Sequence, residues 1–447
     1  MSNMSLINVN SALAPLTQQG YLNRLVRPSL EPENVWRKAA STDAENFPHQ
    51  AGMPEVISVR GLLTPNLTPN NVSSFTDPLG GMTVGNAVQY EQYLGKFDRY
   101  DHLLSVDTEG EDFAIVRQFE ENFISLALYG AQVSDFLARN ALFTTYTGGN
   151  TFLTANANSS ATTIHVDNIN GFVPASSTLG TVATPTITIA GNTYTISAAT
   201  PDGSNASGFV VTDVTGMIGT SGTLTISPGL SAATASGTAV TAVNGPQMLR
   251  ANSRVSYNTI QSGDLLTSTL INQAKGILTG NRAPKIGGAY TLYADNFALQ
   301  GLYQDPEFQS FFRGGYDSSV WQDGEITKLL GVRVVECTSN PIQYVGNQLV
   351  SRPMLVAGGA LTEFQATDRM VRNSKEAGNG VIHTMVMDNM VFHTRPPIDP
   401  GAQFITQAFK TYVGYSARTD RLLTSLNVPT ASAANYKRAV CMEVAGV

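Results

Sequence analysis

The stretch SVDTEGEDFAIVRQFEENFISLALYGAQVSDFLARNALFTTYT, residues 105–147, decides how the rest of the chain is read. Thr108 followed by Glu111 is a capping-box pattern, in which a hydroxyl and a carboxylate satisfy the first free amides of a helix. Beyond it Val116, Phe119, Phe123, Leu126, Gly130, Val133, Leu137 and Ala141 recur at steps of three and four, giving one apolar stripe. Arg117, Glu120, Glu121, Gln132 and Arg139 fall off that stripe. The spacing predicts a single helix of roughly 35 residues, a rod on the order of 50 Å. A helix of this length outside a coiled coil needs a broad sheet to cover its stripe. It reads as a structural spine.

Downstream of the spine the charge disappears. No Lys or Arg occurs between Arg139 and Arg250, and the only acids in the interval are Asp167, Asp202 and Asp213. Short runs at 162–166, 184–190, 192–198, 208–214 and 222–227 are rich in β-forming residues, and several alternate an apolar side chain with Thr. That is the period of a strand with one buried face, and Gly, Pro, Asn or Asp mark the joins. Thr explains the missing charge, because its hydroxyl and β-branching suit the solvent side of a strand. The expectation is a small β-barrel or sandwich, residues 148–246, inserted into a host domain. A disordered Ser/Thr-rich linker is the alternative, and it would lack such alternation.

Upstream, residues 47–104 hold two β-prone arms, EVISVRGLL and NAVQYEQYLGKFDRYDHL. Between them lies a tip with Pro65, Pro69, Asn70, Asn71, Pro78, Gly80 and Gly81. Such a loop cannot form a core, so it is expected to extend and lie on another chain. Asn66, Asn71, Phe75, Asp77 and Met82 are its candidate subunit-interface residues. Residues 1–46 show no strong period and read as an N-terminal arm.

After the insertion, residues 247–428 alternate helical and strand patterns. Residues 262–280 predict a helix capped by Ser262 or Asp264, with Leu266, Leu270, Ala274 and Ile277 inward. A strand follows in GGAYTLYA, then a helix begun at Asp295 and broken at Pro306. The run GEITKLLGVRVVECTSNP predicts a turn and a strand whose Val332, Val334 and Glu336 oppose Arg333, Val335 and Cys337. Further strands are expected in 354–364 and 381–393, and a C-terminal one in 429–447. The fold class is α+β.

Composition narrows the function. A chain of 447 residues exceeds one ordinary core, and its 42% hydrophobic content can fill two or three. The net charge of -7 offers no basic footprint for direct nucleic-acid binding. No apolar run approaches the roughly 18 residues of a membrane span. The first residues lack a signal-peptide layout, and Cys337 and Cys441 are expected to be buried and reduced. The chain reads as acidic, soluble and intracellular.

No reaction centre emerges from the residues. The five histidines (His49, His102, His165, His383 and His393) show no zinc-helix spacing. There is no G-x-S-x-G elbow, and the glycines of 358–361 and 378–381 read as turns. Glu120–Glu121 and the Glu31/Glu33 pair read as solvated charge. Phe308, Phe311, Phe312 and Tyr316 cluster with Arg313 alone for a cation, which suits a core or subunit contact better than a nucleobase platform. The expectation is no catalytic residue, no metal, no cofactor and no enzyme.

The order of arm, extended loop, spine helix and mixed α/β domain resembles the major capsid protein of tailed bacteriophages, the Hong Kong 97 fold. The stretches FTDPLGGMTV to YEQYLGKFDRYDHL, APKIGGAYTLYADNFALQGLYQDPEF and above all GEITKLLGVRVVECTSNP carry the likeness, over roughly 50–145 and 250–395. The resemblance implies a virion coat protein that forms hexamers and pentamers in an icosahedral shell around double-stranded DNA. It also implies portal, scaffolding and cement or decoration partners, assembly in the host cytoplasm and no membrane. Several members carry an inserted β domain. Covalent crosslinking, known in some, needs a loop Lys, and none occurs between Lys38 and Lys96. Two other classes remain: a cell-surface β-rich binding protein, and an enzyme with a β accessory domain.

Overall fold

A computed structural model describes residues 35–40, 44–46, 55–60, 90–95, 97–107, 118–172, 186–202, 221–243, 245–313, 328–365, 383–387, 390–395, 401, 403–418 and 436–446. The described strands form two large sheets, a six-stranded barrel and a two-stranded ribbon, organised along one helix, Gln118–Thr147.

The first sheet runs Lys328–Leu329, Val332–Glu336, Tyr290–Ala294, Met354–Val356, Ala439–Ala445, Gln348–Ser351, Ile342–Val345, with Met248–Arg250 also on Ala439–Ala445. Every residue of Tyr290–Ala294 and of Ala439–Ala445 is buried, as in a sheet covered on both faces. Tyr290, Leu292, Val440, Met442 and Val444 face helices Ser268–Gly280 and Asn296–Gln304. Tyr293, Met354, Val356 and Cys441 face the other way, onto Trp36 and the end of the spine helix. The period-two reading holds in burial over 332–334, with Val332 and Val334 buried and Arg333 exposed, while Glu336 is exposed and Cys337 buried.

One capping expectation is corrected, and the helix start expected at Asp295 is found. The helix in 262–280 starts at Ser268, and its cap is Thr267, whose side chain accepts from the Leu270 amide. Ser262 and Asp264 lie earlier, and Asp264 is drawn into a turn with Asn252, Arg254 and Gln261. Asp295 does precede helix Asn296–Gln304 but makes no side-chain cap. Its carboxylate bonds Asn340 and Ser351 instead.

The second sheet is built around the long strand Phe404–Ser416. Thr362–Gln365 and Met390–Arg395 pair with it, and Asp98–Asp107 pairs along Phe404–Val413. Ala44–Asn46 adds parallel to Thr362–Gln365, and His383–Met387 adds to Met390–Arg395.

The spine helix lies across both sheets. Near its start Leu126 and Gly130 sit on Met390, Phe392 and Phe409. A Cβ on Gly130 would lie 2.6 Å from the Met390 sulfur and 3.0 Å from the Phe409 ring, so the helix approaches the sheet more closely than a side chain allows. Near its end Ala138, Leu142, Phe143 and Tyr146 enter the core beside the first sheet. The described helix has 30 residues, about 45 Å at 1.5 Å per residue. The expected cap at Thr108, the stripe residue Val116 and the off-stripe Arg117 lie outside the described residues.

The predicted stripe drifts from the observed one. The second half buries Ser134, Asp135, Ala138, Arg139, Leu142, Phe143 and Tyr146, while Val133, Leu137 and Ala141 are only half-buried. The cause is a second neighbour: residues 35–40 cover the helix from another side and widen its buried face. Arg139, read as off the stripe, is 1% exposed. Its guanidinium lies 4.8 Å from the Phe136 ring centre and donates to Ser339 O at 3.0 Å.

Residues 35–40 join the parts. Trp36 is fully buried, with its ring centre 5.1 Å from that of Phe143 and 4.9 Å from that of Tyr293, and its indole N–H donates to Ser339 Oγ at 3.0 Å. Asp135 of the spine helix accepts the Arg37 amide at 2.9 Å. Burial raises the Asp135 pKa, against the backbone amides of 35–37 and the Arg139 charge. The Arg37 guanidinium pairs with buried Glu363 at 3.0 Å. Burial, and then the Glu363 charge, hold the nearby Tyr415 phenol well above its usual pKa. One short segment thus pins the helix to both sheets.

The barrel occupies the charge-free block. Its strands follow the order Asn150–Phe152, Ala239–Ala242, Thr186–Ile189, Asn192–Pro201, Gly222–Ser227, Thr163–Val166. The ends meet, since Thr154 N donates to His165 O at 3.0 Å and Asp167 N to Phe152 O at 3.2 Å. Leu153, Ile164, Val166, Ile187, Ile189, Ile196, Leu224, Ile226 and Val240 fill the interior. Outside, threonines stand opposite one another as Thr186–Thr195, Thr188–Thr193, Thr163–Thr225 and Thr200–Thr223. The run at 208–214 lies outside the described residues.

Candidate subunit interface

The ribbon pairs Glu55–Arg60 with Tyr90–Gly95, antiparallel and in register from Glu55 opposite Gly95 to Arg60 opposite Tyr90. Among the described strands it pairs with no other. Its root is fixed by shape: a Cβ on Gly95 would stand 2.6 Å from the Phe364 ring, so only glycine lets the backbone cross there. Phe97, buried beside it, meets Tyr412 edge-on with ring centres 6.1 Å apart. The chain leaving this root continues as the edge strand Asp98–Asp107.

The residues proposed from sequence as interface residues, Asn66, Asn71, Phe75, Asp77 and Met82, lie outside the described residues. What the structure adds is a set of exposed apolar side chains on the ribbon, the edge strand, its partner strand and the spine helix. Tyr90 is 63% exposed, Leu103 58%, Ile124 53% and Phe404 46%. Large apolar side chains with that much water contact forgo about 25 cal/mol for each Å² left uncovered. Each is a candidate contact residue. Leu103 stands on the same side of its strand as Arg99 and Asp101, which form an ion pair. With Lys410, Thr406, Ala408 and His393 they line a shallow cleft. Charges on an exposed edge strand oppose indiscriminate pairing with other strands, leaving a partner that matches them. On the opposite side His102 lies against Tyr129 of the spine helix, ring centres 4.7 Å apart.

Sequence reasoning took DRYDHL only as the end of a β-prone arm and did not single out Leu103. The signal was available in Leu103, an apolar residue in step with Arg99 and Asp101. A second exposed tip is the hairpin Ile342–Val345 with Gln348–Ser351, where Tyr344 is 73% exposed.

Several contacts fix the barrel to the far end of the spine helix. Asn170 Nδ2 donates to Thr144 O at 2.8 Å, satisfying a carbonyl of the last helical turn, and Gly149 N donates to Asn170 O at 2.8 Å. Gly171 lies so close that a Cβ would be 2.4 Å from Gly149 N, and its φ of 80° already favours glycine. Tyr257, from the chain that leaves the barrel, donates its hydroxyl to Asp167 and packs against Phe152 with ring centres 5.1 Å apart. Burial, then the Asp167 charge, raises the Tyr257 pKa, so it acts as a donor throughout the physiological range. Below it, Glu443 pairs with Arg250 at 2.6 Å and Arg352 at 3.2 Å, all nearly buried.

Among the described residues no three of His, Cys, Asp and Glu gather as a metal site, and no helix is long and apolar enough to cross a membrane. Cys337 and Cys441 are buried free thiols, and burial raises the Cys441 pKa far from the reactive range.

No protein-family model matches the chain, and no curated protein matches it in sequence. Solved structures do. The capsid asymmetric unit of cyanophage Pam1 aligns over 100% of this chain and 99% of its own, with a TM-score of 0.52 at 9% identity. The head structure of Helicobacter pylori bacteriophage KHP40 aligns over 98% and 99%, at 0.51 and 10%. The capsid of Ralstonia phage GP4 aligns over 100% and 99%, at 0.50 and 11%. At such identities the likeness is one of fold. The chain has the α+β, Hong Kong 97-like fold of phage capsid subunits, end to end.

Proposed function

We propose that this chain is a major capsid protein, a structural subunit that assembles with copies of itself into an icosahedral shell around phage DNA. The observation that carries the reading is coverage: almost every residue of the matched capsid subunits has a counterpart here, and almost every residue here has one there. A chain that had merely borrowed a capsid-like domain would leave a large part unmatched.

The parts take their roles from this reading. The ribbon and its tip, with Asn66, Asn71, Phe75, Asp77 and Met82, reach onto a neighbour. The exposed apolar residues of the ribbon and edge strand receive a counterpart, and the first sheet's hairpin tip contributes contacts within hexamers and pentamers. Residues 148–246 form an inserted domain on an otherwise ordinary subunit, between a spine helix in 105–147 and a mixed domain in 247–428. The Thr-covered barrel presents a surface with almost no charge, suited to an outer face that does not adhere to other copies. Packaged DNA is enclosed without sequence-specific contact, and portal, scaffolding and decoration proteins are the expected partners. Many weak contacts repeated by symmetry give the particle its stability. No catalytic step is assigned to any residue. Sedimentation velocity tests the reading: the purified chain is expected to populate rings or shells of many copies, and a chain that stays monomeric with scaffolding supplied contradicts it.

A further inference from the structure

The spine helix and the two sheets meet at one joint, and a short segment closes it. Residues 35–40 have little structure of their own: a four-residue helix, Arg37–Ala40, with bonds from Lys38 N to Val35 O at 3.3 Å and from Ala39 N to Trp36 O at 3.0 Å. A single helical turn does not hold itself in water, so its place depends on what it docks against. Each body supplies a polar anchor. Asp135 of the spine helix takes the Arg37 amide, Ser339 beyond the first sheet's strand Val332–Glu336 takes the Trp36 indole, and Glu363 of the second sheet takes the Arg37 guanidinium.

Asp135 is the unusual anchor. It is 1% exposed, and its Oδ1 accepts the Arg37 amide at 2.9 Å, while Oδ2 is buried with no hydrogen-bond partner among the described residues. A bare, buried carboxylate oxygen is costly when charged and much less so when it carries a proton. Titratable and charged groups lie around it from every element: Arg139 on its own helix, Arg37 on the segment, Tyr293 on the first sheet, and Tyr415 and Glu363 on the second. The arginines keep their charge at every working pH. Burial above all raises both phenols, so they stay protonated near neutral pH. At Asp135 burial likewise outweighs the amides of 35–37 and the Arg139 charge, and the net shift is upward.

We propose that Asp135 makes this joint a pH-sensitive clasp, in which segment 35–40 is held most tightly over a protonated carboxyl and loosens as that carboxyl ionises. A carboxyl whose docked pKa lies above its free value, about 4, favours docking fully below the free value, and the gain is lost as pH rises through the docked one. Each pH unit between the two changes the docking equilibrium by up to about tenfold. Loosening releases the contact that the spine helix shares with both sheets. The clasp stands independently of the shell reading. The chain has two tryptophans, Trp36 and Trp321, so Trp321→Phe leaves Trp36 as the only indole, and its fluorescence reports docking. In that full-length chain, acrylamide quenching of Trp36 is expected to rise several-fold between pH 5 and pH 9, with a red shift in emission. Asp135→Asn keeps an acceptor for the Arg37 amide but cannot ionise, so quenching stays low and equal at both values. Asp135→Ser serves the same purpose where the Asn variant does not fold. Equal quenching at both pH values with Asp135 in place, or an unchanged rise in the neutral variants, overturns the proposal.

Discussion

Asp264 shows how a single carboxylate fixes a junction. It is 1% exposed and accepts the Gln261 amide at 2.8 Å, Arg254 Nε at 2.8 Å and Asn252 Nδ2 at 2.6 Å. Burial works to raise its pKa, but these three partners together outweigh burial, and the net shift is downward. A carboxyl group with a lowered folded pKa contributes stability that is complete above its unfolded value, about 4. That contribution is lost as pH falls through the folded value. Asp264→Asn is therefore expected to cost about 2 kcal/mol near neutral pH, where charged hydrogen bonds are lost. The difference from wild type should narrow in acid, and thermal melts at pH 7 and pH 3 check it. An equal loss at both values would mean the ionised form does nothing there. The sequence offered Asp264 as a helix cap because a carboxylate before an apolar period usually serves that purpose. Thr267, nearer the first turn, took the role, and nothing local announces that Asp264 would bond residues three to twelve positions behind it.

At the scale of elements, periodic signals were readable and non-local ones were not. The barrel's Thr alternation and the buried Val332 and Val334 follow from a period of two, which needs only neighbouring residues. Trp36 was missed because it sits in a segment with no period, and its partners Phe143, Tyr293 and Ser339 are distant in sequence. That segment also displaced the spine's stripe from Val133, Leu137 and Ala141 toward Ser134, Ala138 and Leu142. The helix face is testable at Leu126, 1% exposed against Phe409 and Met390. Leu126→Ala is expected to lower stability by about 2–5 kcal/mol through transfer and cavity costs. Glu121→Ala, half-buried near the helix start, should stay within about 0.5 kcal/mol. Denaturant titration separates the two, and similar values would mean the wrong face has been assigned. The barrel has its own apolar interior, so residues 148–246 expressed alone should melt cooperatively with a β-type circular dichroism spectrum. A random-coil spectrum would return the block to the linker reading.

At the scale of the whole molecule, the spine helix and the segment 35–40 link the two sheets, and the buried Arg250–Glu443–Arg352 group ties strands of the first sheet. An antiparallel ribbon, a charged edge strand and exposed Leu103, Tyr90 and Phe404 fit the proposed tiling. If the ribbon's tip serves only neighbouring copies, replacing residues 66–81 by a short Gly-Ser link leaves the subunit's melt unchanged but stops closed shells from forming. Regular shells from that variant would remove the tip from the assembly mechanism. The ribbon's two strands were legible from their β-prone residues, whereas the tip between them lies outside the described residues. The most direct measurement of the central claim is negative-stain electron microscopy of the purified full-length chain over a range of protein and salt concentrations. The shell reading predicts regular rings or closed particles of uniform diameter, and fields of isolated subunits under every condition would contradict it.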